Sequence, residues 1–148
     1  MNSDFLTGTE LLLAYEDIRM TKSRYCRFID TKDWEALKDV FAPDAVADFS
    51  TEGNPIPVLE GRDTIVNVFQ ELVDPAVTVH QVHGADIELV SATEANVLSP
   101  MEDYVTFPES NPNKSFHGYG YYHETFVKLD GRWVIQHTSL KRLRLDIL

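Results

Sequence analysis

The feature that most constrains this chain is a change of period near Val77. Before it, apolar side chains recur about every 3.6 residues, the helical repeat; after it, β-branched and aromatic residues alternate in long runs broken by turns. Three helices followed by four long strands are therefore expected. With 148 residues, 43% of them hydrophobic, the chain can bury about two-thirds of its unfolded surface but is too short for two ordinary domains. One domain over residues 1–148 is expected. Helices first and a meandering, mostly antiparallel sheet afterwards predict an α+β fold, in which a curved sheet packs on the three N-terminal helices and leaves a pocket.

The punctuation sets the boundaries. Thr7 with Glu10 fits a capping box, and Leu11, Tyr15, Ile18, Tyr25, Phe28 and Ile29 follow in one stripe, predicting a first helix from about Thr9 to Asp30. Thr31 is the expected N-cap of a second helix carrying Trp34, Leu37, Val40 and Phe41, with Pro43 as its stop. A short strand, Ala45 to Ser50, and a turn-rich loop, Thr51 to Gly61, lead to a third helix from Arg62 that shows Ile65, Val66, Phe69 and Leu72 on one face and ends at Pro75. Strands are expected over Val77–Val90, Glu94–Phe107, Phe116–Leu129 and Arg132–Leu145, and Asp130-Gly131 is a hairpin signal that pairs the last two antiparallel.

Charge and cysteine usage exclude several functions. A formal net charge of −11 lacks the basic face that phosphate backbones require, so no nucleic-acid partner is expected. An anionic ligand would need a local basic group such as Arg142 or Arg144. No apolar run approaches the roughly 20 residues of a membrane-spanning helix, no leader pattern is visible, and the lone Cys26 fits a reducing cytoplasm. No metal is expected either. His80 and His83 are an odd number of residues apart on a strand and face opposite ways, while His117 and His123, six apart, stand too far from each other to share an ion. Gly-rich phosphate loops and nucleophile elbows are absent from the sequence, which argues against nucleotide, flavin and acyl-enzyme chemistry.

Three stretches carry a resemblance. They are Tyr25-Cys26-Arg27-Phe28-Ile29-Asp30-Thr31-Lys32-Asp33-Trp34, then Thr78-Val79-His80-Gln81-Val82-His83, then Gly118-Tyr119-Gly120-Tyr121-Tyr122 leading through Asp130-Gly131-Arg132-Trp133 to Leu140-Lys141-Arg142. Read in order, they resemble the SnoaL-like branch of the nuclear-transport-factor-2-like superfamily, and its bile-acid and scytalone dehydratases in particular. The resemblance implies a cone-shaped, cystatin-like α+β barrel with a deep apolar pocket, assembly as a trimer or dimer, and no cofactor. It also implies that Asp30 and His80 occupy the positions of the family's catalytic carboxylate and histidine, that Tyr25 matches a catalytic tyrosine, and that Arg142 matches a late arginine. Phe49 stands where both dehydratases place a tyrosine, so one hydroxyl is missing.

Chemically, these residue types suit water elimination beside a carbonyl or a double-bond shift, because a histidine can remove a proton while a carboxylate fixes its tautomer. The expected function is a cofactor-independent dehydratase or isomerase acting on a small, mostly apolar cyclic substrate. His80, Asp30 and Tyr25 would carry the chemistry, with Arg142, Phe49 and Tyr122 in contact with substrate. A non-catalytic ligand-binding or oligomeric accessory module is the alternative. Plain structural roles stand beside each assignment: His80 as a hydrogen-bonded strand residue, Asp30 as a helix-end carboxylate, Tyr25 as core, Arg142 as half of a salt bridge.

Overall fold

The structure, a computed structural model, describes residues 5–50 and 56–148. Helix α1 runs Gly8–Asp30 and buries Ala14, Ile18, Thr21, Lys22, Tyr25, Cys26 and Ile29. Spacings of three, four and seven put these on one face. Thr7 is the N-cap residue, but its side chain makes no capping hydrogen bond. At the other end Thr31 donates its hydroxyl to Arg27 O at 2.8 Å and closes α1 instead of opening the next helix. Asp33 takes the role expected of Thr31, accepting from Ala36 N at 3.2 Å, and helix α2 spans only Trp34–Lys38. The Thr31 hydroxyl is already bonded backwards to Arg27 O, so the Asp33 carboxyl two residues later supplies the cap.

Phe41, expected in the second helix, begins strand β1, Phe41–Asp48. Pro43 lies where the register of β1 against the last strand, Arg132–Ile147, shifts between Phe41 and Val46, an irregularity that suits a residue with no amide hydrogen. Residues 51–55, the first half of the expected loop, lie outside the described residues. Strand β2 (Leu59–Glu60) and helix α3 (Arg62–Val73) follow. Helix α3 buries Ile65, Val66 and Phe69, leaving Leu72 at the surface.

The expected strand Val77–Val90 is two strands, β3 (Val77–Val82) and β4 (Asp86–Leu89), both antiparallel to β5 (Glu94–Thr106). Pro100 of β5 explains the break. It accepts a bond from His83 N at 2.9 Å but has no hydrogen to return, so the ladder cannot run through it. Strands β6 (Phe116–Leu129) and β7 (Arg132–Ile147) form the expected hairpin, with Asp130 at φ 50° and Gly131 at φ 80° in the turn. The seven strands order as β2-β1-β7-β6-β5-β3 with β4 beside β5, and β1 with β7 is the parallel pairing.

Three helices thus pack on one face of a curved, mixed, mostly antiparallel sheet. Ile18, Leu37, Phe41, Ile65, Phe126, Trp133 and Ile135 are fully buried between the layers. Burying each such side chain is worth about 1.5–3 kcal/mol, enough to hold α1 against the sheet and fix which of its faces looks inward.

Candidate active site

Asp30 is the last residue of α1, and the chain turns sharply behind it through Lys32 at φ 60°. That left-handed turn is held by Lys32 Nζ, which donates to Val73 O at 2.9 Å and Thr78 Oγ1 at 3.1 Å. Burial lowers the Lys32 ammonium below its ordinary value, partly opposed by the charges of Asp30 and Asp74. The Asp30 carboxylate thereby points at β3. There Thr78 and His80, two residues apart, share a face. Thr78 donates its hydroxyl to Asp30 Oδ1 at 3.0 Å, and His80 donates its backbone N–H to Oδ2 at 2.8 Å. His80 Nδ1 lies 2.7 Å from Oδ1. A carboxylate at that distance makes Nδ1 the protonated nitrogen, so the free lone pair of the neutral ring is on Nε2.

Asp30 and His80 line a cleft of about 420 Å3 with Ser23, Cys26, Arg27, Gln81, Val82 and His83. Their side chains keep 23% and 11% of their exposure, so solvent reaches the pair without flooding it. Cys26, in the same wall, has its thiol pushed up to about 11, chiefly by burial. A larger cavity of about 660 Å3 has Asp86, Glu88, His123 and His137 in its walls and contains neither Asp30 nor His80. Its size does not make it the reaction site. Among the described residues no three His, Cys, Asp or Glu side chains converge in an arrangement that holds a metal ion.

Across the sheet, His80 faces Asp103 of β5, and Asp103 faces Gly118 of β6. Directly opposed residues share a face, with Cβ atoms about 4.5–5.5 Å apart. Arg142 of β7 reaches into this row, placing Nη1 and Nη2 each 2.8 Å from the two Asp103 oxygens. A Cβ at residue 118 would overlap the ends of both side chains, so any residue but glycine there would push the pair aside. Burial lowers the Arg142 guanidinium, and the Asp103 hydrogen bonds and charge more than offset it, leaving it above its ordinary value.

The remaining expected residues stand elsewhere. Tyr25, 2% exposed, packs edge-on to Phe41, Phe69 and Tyr122 with centroids 6.0, 6.5 and 5.9 Å away. Burial first, then the Glu124 charge, pushes the Tyr25 phenol well above its ordinary value. Tyr122 is equally buried beside it, and Phe49 packs on Phe69 at 5.4 Å. Tyr25 and Asp30 therefore do not meet in the cleft, as their offset of roughly 140° around the helix suggests.

Two polar clusters, the Lys22–Glu124 pair and the carboxylate of Asp103, escaped the reading of the sequence. Lys22 is buried, 2.7 Å from Glu124 Oε1, with Nζ 3.4 Å and 3.8 Å from the ring centroids of Tyr122 and Tyr25. Their signal was present: Lys22 falls in the buried stripe of α1, and Asp103 and Glu124 take inward positions between apolar neighbours in strands.

Residues 10–139 match the SnoaL-like domain family. A protein described as probable cyclase FGR4 of Gibberella zeae is 22% identical over 138 residues, which cover 88% of this chain and 92% of that one. The fold resembles a candidate scytalone dehydratase from Novosphingobium aromaticivorans, with TM-score 0.82 and 24% identity over 94% of this chain and 90% of the other. It also resembles hexachlorocyclohexane dehydrochlorinase LinA-type3 from Novosphingobium barchaimii, with TM-score 0.81 and 19% identity over 94% and 92% of the two chains.

Proposed function

The chain belongs to the SnoaL-like domain family, and on that premise we propose that it is a dehydratase-type lyase using His80 and Asp30 as a cofactor-independent acid/base pair. The observation that carries the reading is the 2.7 Å bond between Asp30 Oδ1 and His80 Nδ1 in the wall of an open cleft. Proteins similar to this one are named for dehydration, dehydrochlorination and cyclisation, and the first two are eliminations. The substrate in this reading is a small, mostly apolar cyclic compound.

His80 Nε2 takes a proton from a carbon made acidic by a neighbouring carbonyl. The C–H electrons form the new double bond, and the C–O bond of the leaving hydroxyl breaks. Asp30 stabilises the imidazolium, which returns its proton to the departing oxygen so that water leaves and His80 is neutral again. Returning the proton to another carbon instead gives an isomerase with the same residues. In this reading Arg142 holds the carbonyl oxygen. Tyr25, Tyr122 and Phe49 belong to the core behind the cleft and support the site without touching the reacting atoms in this reading. The same reading makes the protein a cytoplasmic, single-domain homo-oligomer.

A specific observation favours the second reading, a binding module: Tyr25 stands in the core and not in the cleft. Turnover separates the two. Hydroxylated cyclic ketones incubated with the protein should gain the ultraviolet absorption of a conjugated double bond, and His80→Ala should slow this by about 100- to 10,000-fold while keeping the fold. An unchanged rate in His80→Ala would remove His80 from the mechanism.

A further inference from the structure

Arg142 is the one basic side chain in the row that runs from His80 through Asp103 and Gly118 among the described residues. An unpaired guanidinium there would attract carboxylates and phosphates, which match its fork geometry. Here that fork is already filled. Asp103 is 5% exposed at its side chain and takes one N–H from each terminal nitrogen of Arg142, which itself keeps 27% exposure. Three of the five guanidinium N–H groups remain able to donate, but the charge behind them is cancelled. With His80 neutral, Asp103 and Arg142 cancel within the row, and the Asp30 carboxylate beside it is offset in part by Lys32, which shares the Thr78 hydroxyl with it.

The sheet surface next to this pair is apolar. Phe116 lies with its ring centroid 5.2 Å from Arg142 Cζ. Past the register shift at Tyr119/Gly120, Leu145 opposes Gly118 and Ile147 opposes Phe116, on the face that carries Asp103. These two side chains are 46% and 54% exposed, a wet apolar surface beside partly accessible hydrogen-bond donors.

We propose that Asp103, by occupying both terminal nitrogens of Arg142, restricts the site to substrates whose bound oxygen is uncharged, neutral cyclic ketones or alcohols, and turns away carboxylates and phosphates. Asp103 is a specificity-determining residue in this account, and Gly118 is what lets the pair lie flat across β6. The proposal rests on the acid/base reading of His80 and Asp30, since it concerns what is delivered to them.

The probes are 2-naphthol, neutral at neutral pH, and 2-naphthoate, of similar shape but anionic. Both are titrated into the full chain while the NMR signals of His80 are followed. Wild type should bind 2-naphthol and bind 2-naphthoate at least about tenfold more weakly. Asp103→Asn should tighten 2-naphthoate by about tenfold and leave 2-naphthol within about threefold. Removing both charges in Asp103→Asn/Arg142→Gln should abolish that gain, which distinguishes released charge from altered shape. The wild-type ratio alone decides the matter if Asp103→Asn fails to fold. Equal binding of the two probes by wild type would overturn the charge selection and leave the acid/base pair standing. Failure of both probes to perturb His80, together with wild-type turnover in His80→Ala, would overturn both.

Discussion

Helix α1 is tied to the sheet by two carboxylate-centred pairs of the same length that differ in their access to solvent. Lys22 meets Glu124 at 2.7 Å, with side-chain exposures of 5% and 0%. His80 meets Asp30 at 2.7 Å, with exposures of 11% and 23%. The first is roofed by the Tyr25 and Tyr122 rings and shares Glu124 Oε1 with the Thr138 hydroxyl at 2.7 Å, while Glu124 Oε2 is buried with no hydrogen bond among the described residues. The second opens on a cleft. Two turns of one helix thus separate a sealed pair from one that a molecule in the cleft can reach. Accessibility, and not the length of the bond, distinguishes the two.

The comparison breaks most easily at Lys22. Lys22→Met keeps the length of the side chain and its place on the tyrosine rings but leaves Glu124 buried and unpaired, so it should cost about 3–5 kcal/mol of folding free energy in urea denaturation. Lys22→Met/Glu124→Leu should recover most of that loss, because it removes the stranded charge as well. A loss below about 1 kcal/mol in the single variant would show that the pair is not sealed.

These two pairs also mark what a single sequence discloses. Element type was legible wherever a period ran long enough: α1, α3, β5, β6 and β7 follow from their apolar spacing, and the Asp130-Gly131 turn from its residues. The α2 boundary and the β3/β4 break were not, because they hinge on single side-chain bonds and on Pro100 in a partner strand nearly 20 residues away. Asp30 and His80 were legible through a family resemblance carried by local stretches. Lys22–Glu124 and Asp103–Arg142 join residues 102 and 39 positions apart. No local pattern records such a partner, although a charge at an inward position signals that one exists.

The open pair should respond differently to removal of its charge. Asp30→Asn keeps the shape and retains an acceptor for Thr78 or the His80 backbone, and its cleft admits water, so the stability cost should be about 1.5–3 kcal/mol, below that of Lys22→Met. The chemistry should suffer more than the fold. The hydrogen-bonded Nδ1 proton of His80 should give a low-field NMR resonance in wild type that Asp30→Asn abolishes. A resonance unchanged by the substitution would mean that Asp30 does not set the tautomer, and the contrast between the two pairs would lose its chemical side.

Cys26 sits on α1 between them, one turn from Lys22 and one from Asp30, and sharpens where the sealed region ends. Its thiol is raised from 9.0 to about 11 by burial, with Lys22 pulling it down and Asp30 pushing it up. Because the folded value lies above the unfolded one, its contribution to stability is complete below about pH 9 and is lost as pH rises toward 11. Wild type should therefore lose about 1 kcal/mol by pH 10 relative to pH 8 from this group. Tyr25 and Tyr122, also raised by burial, add losses of the same sign at higher pH. In Cys26→Ala the first part of that decline should vanish, leaving a flatter curve between pH 8 and 10 in urea titrations. Alkylation by iodoacetamide at pH 8 should be slow in the folded protein and fast in urea, since the reactive thiolate is scarce and the sulfur is covered. Rapid alkylation of the folded chain, or an unaltered pH dependence in Cys26→Ala, would place Cys26 on the open side and move the boundary a full turn toward Lys22.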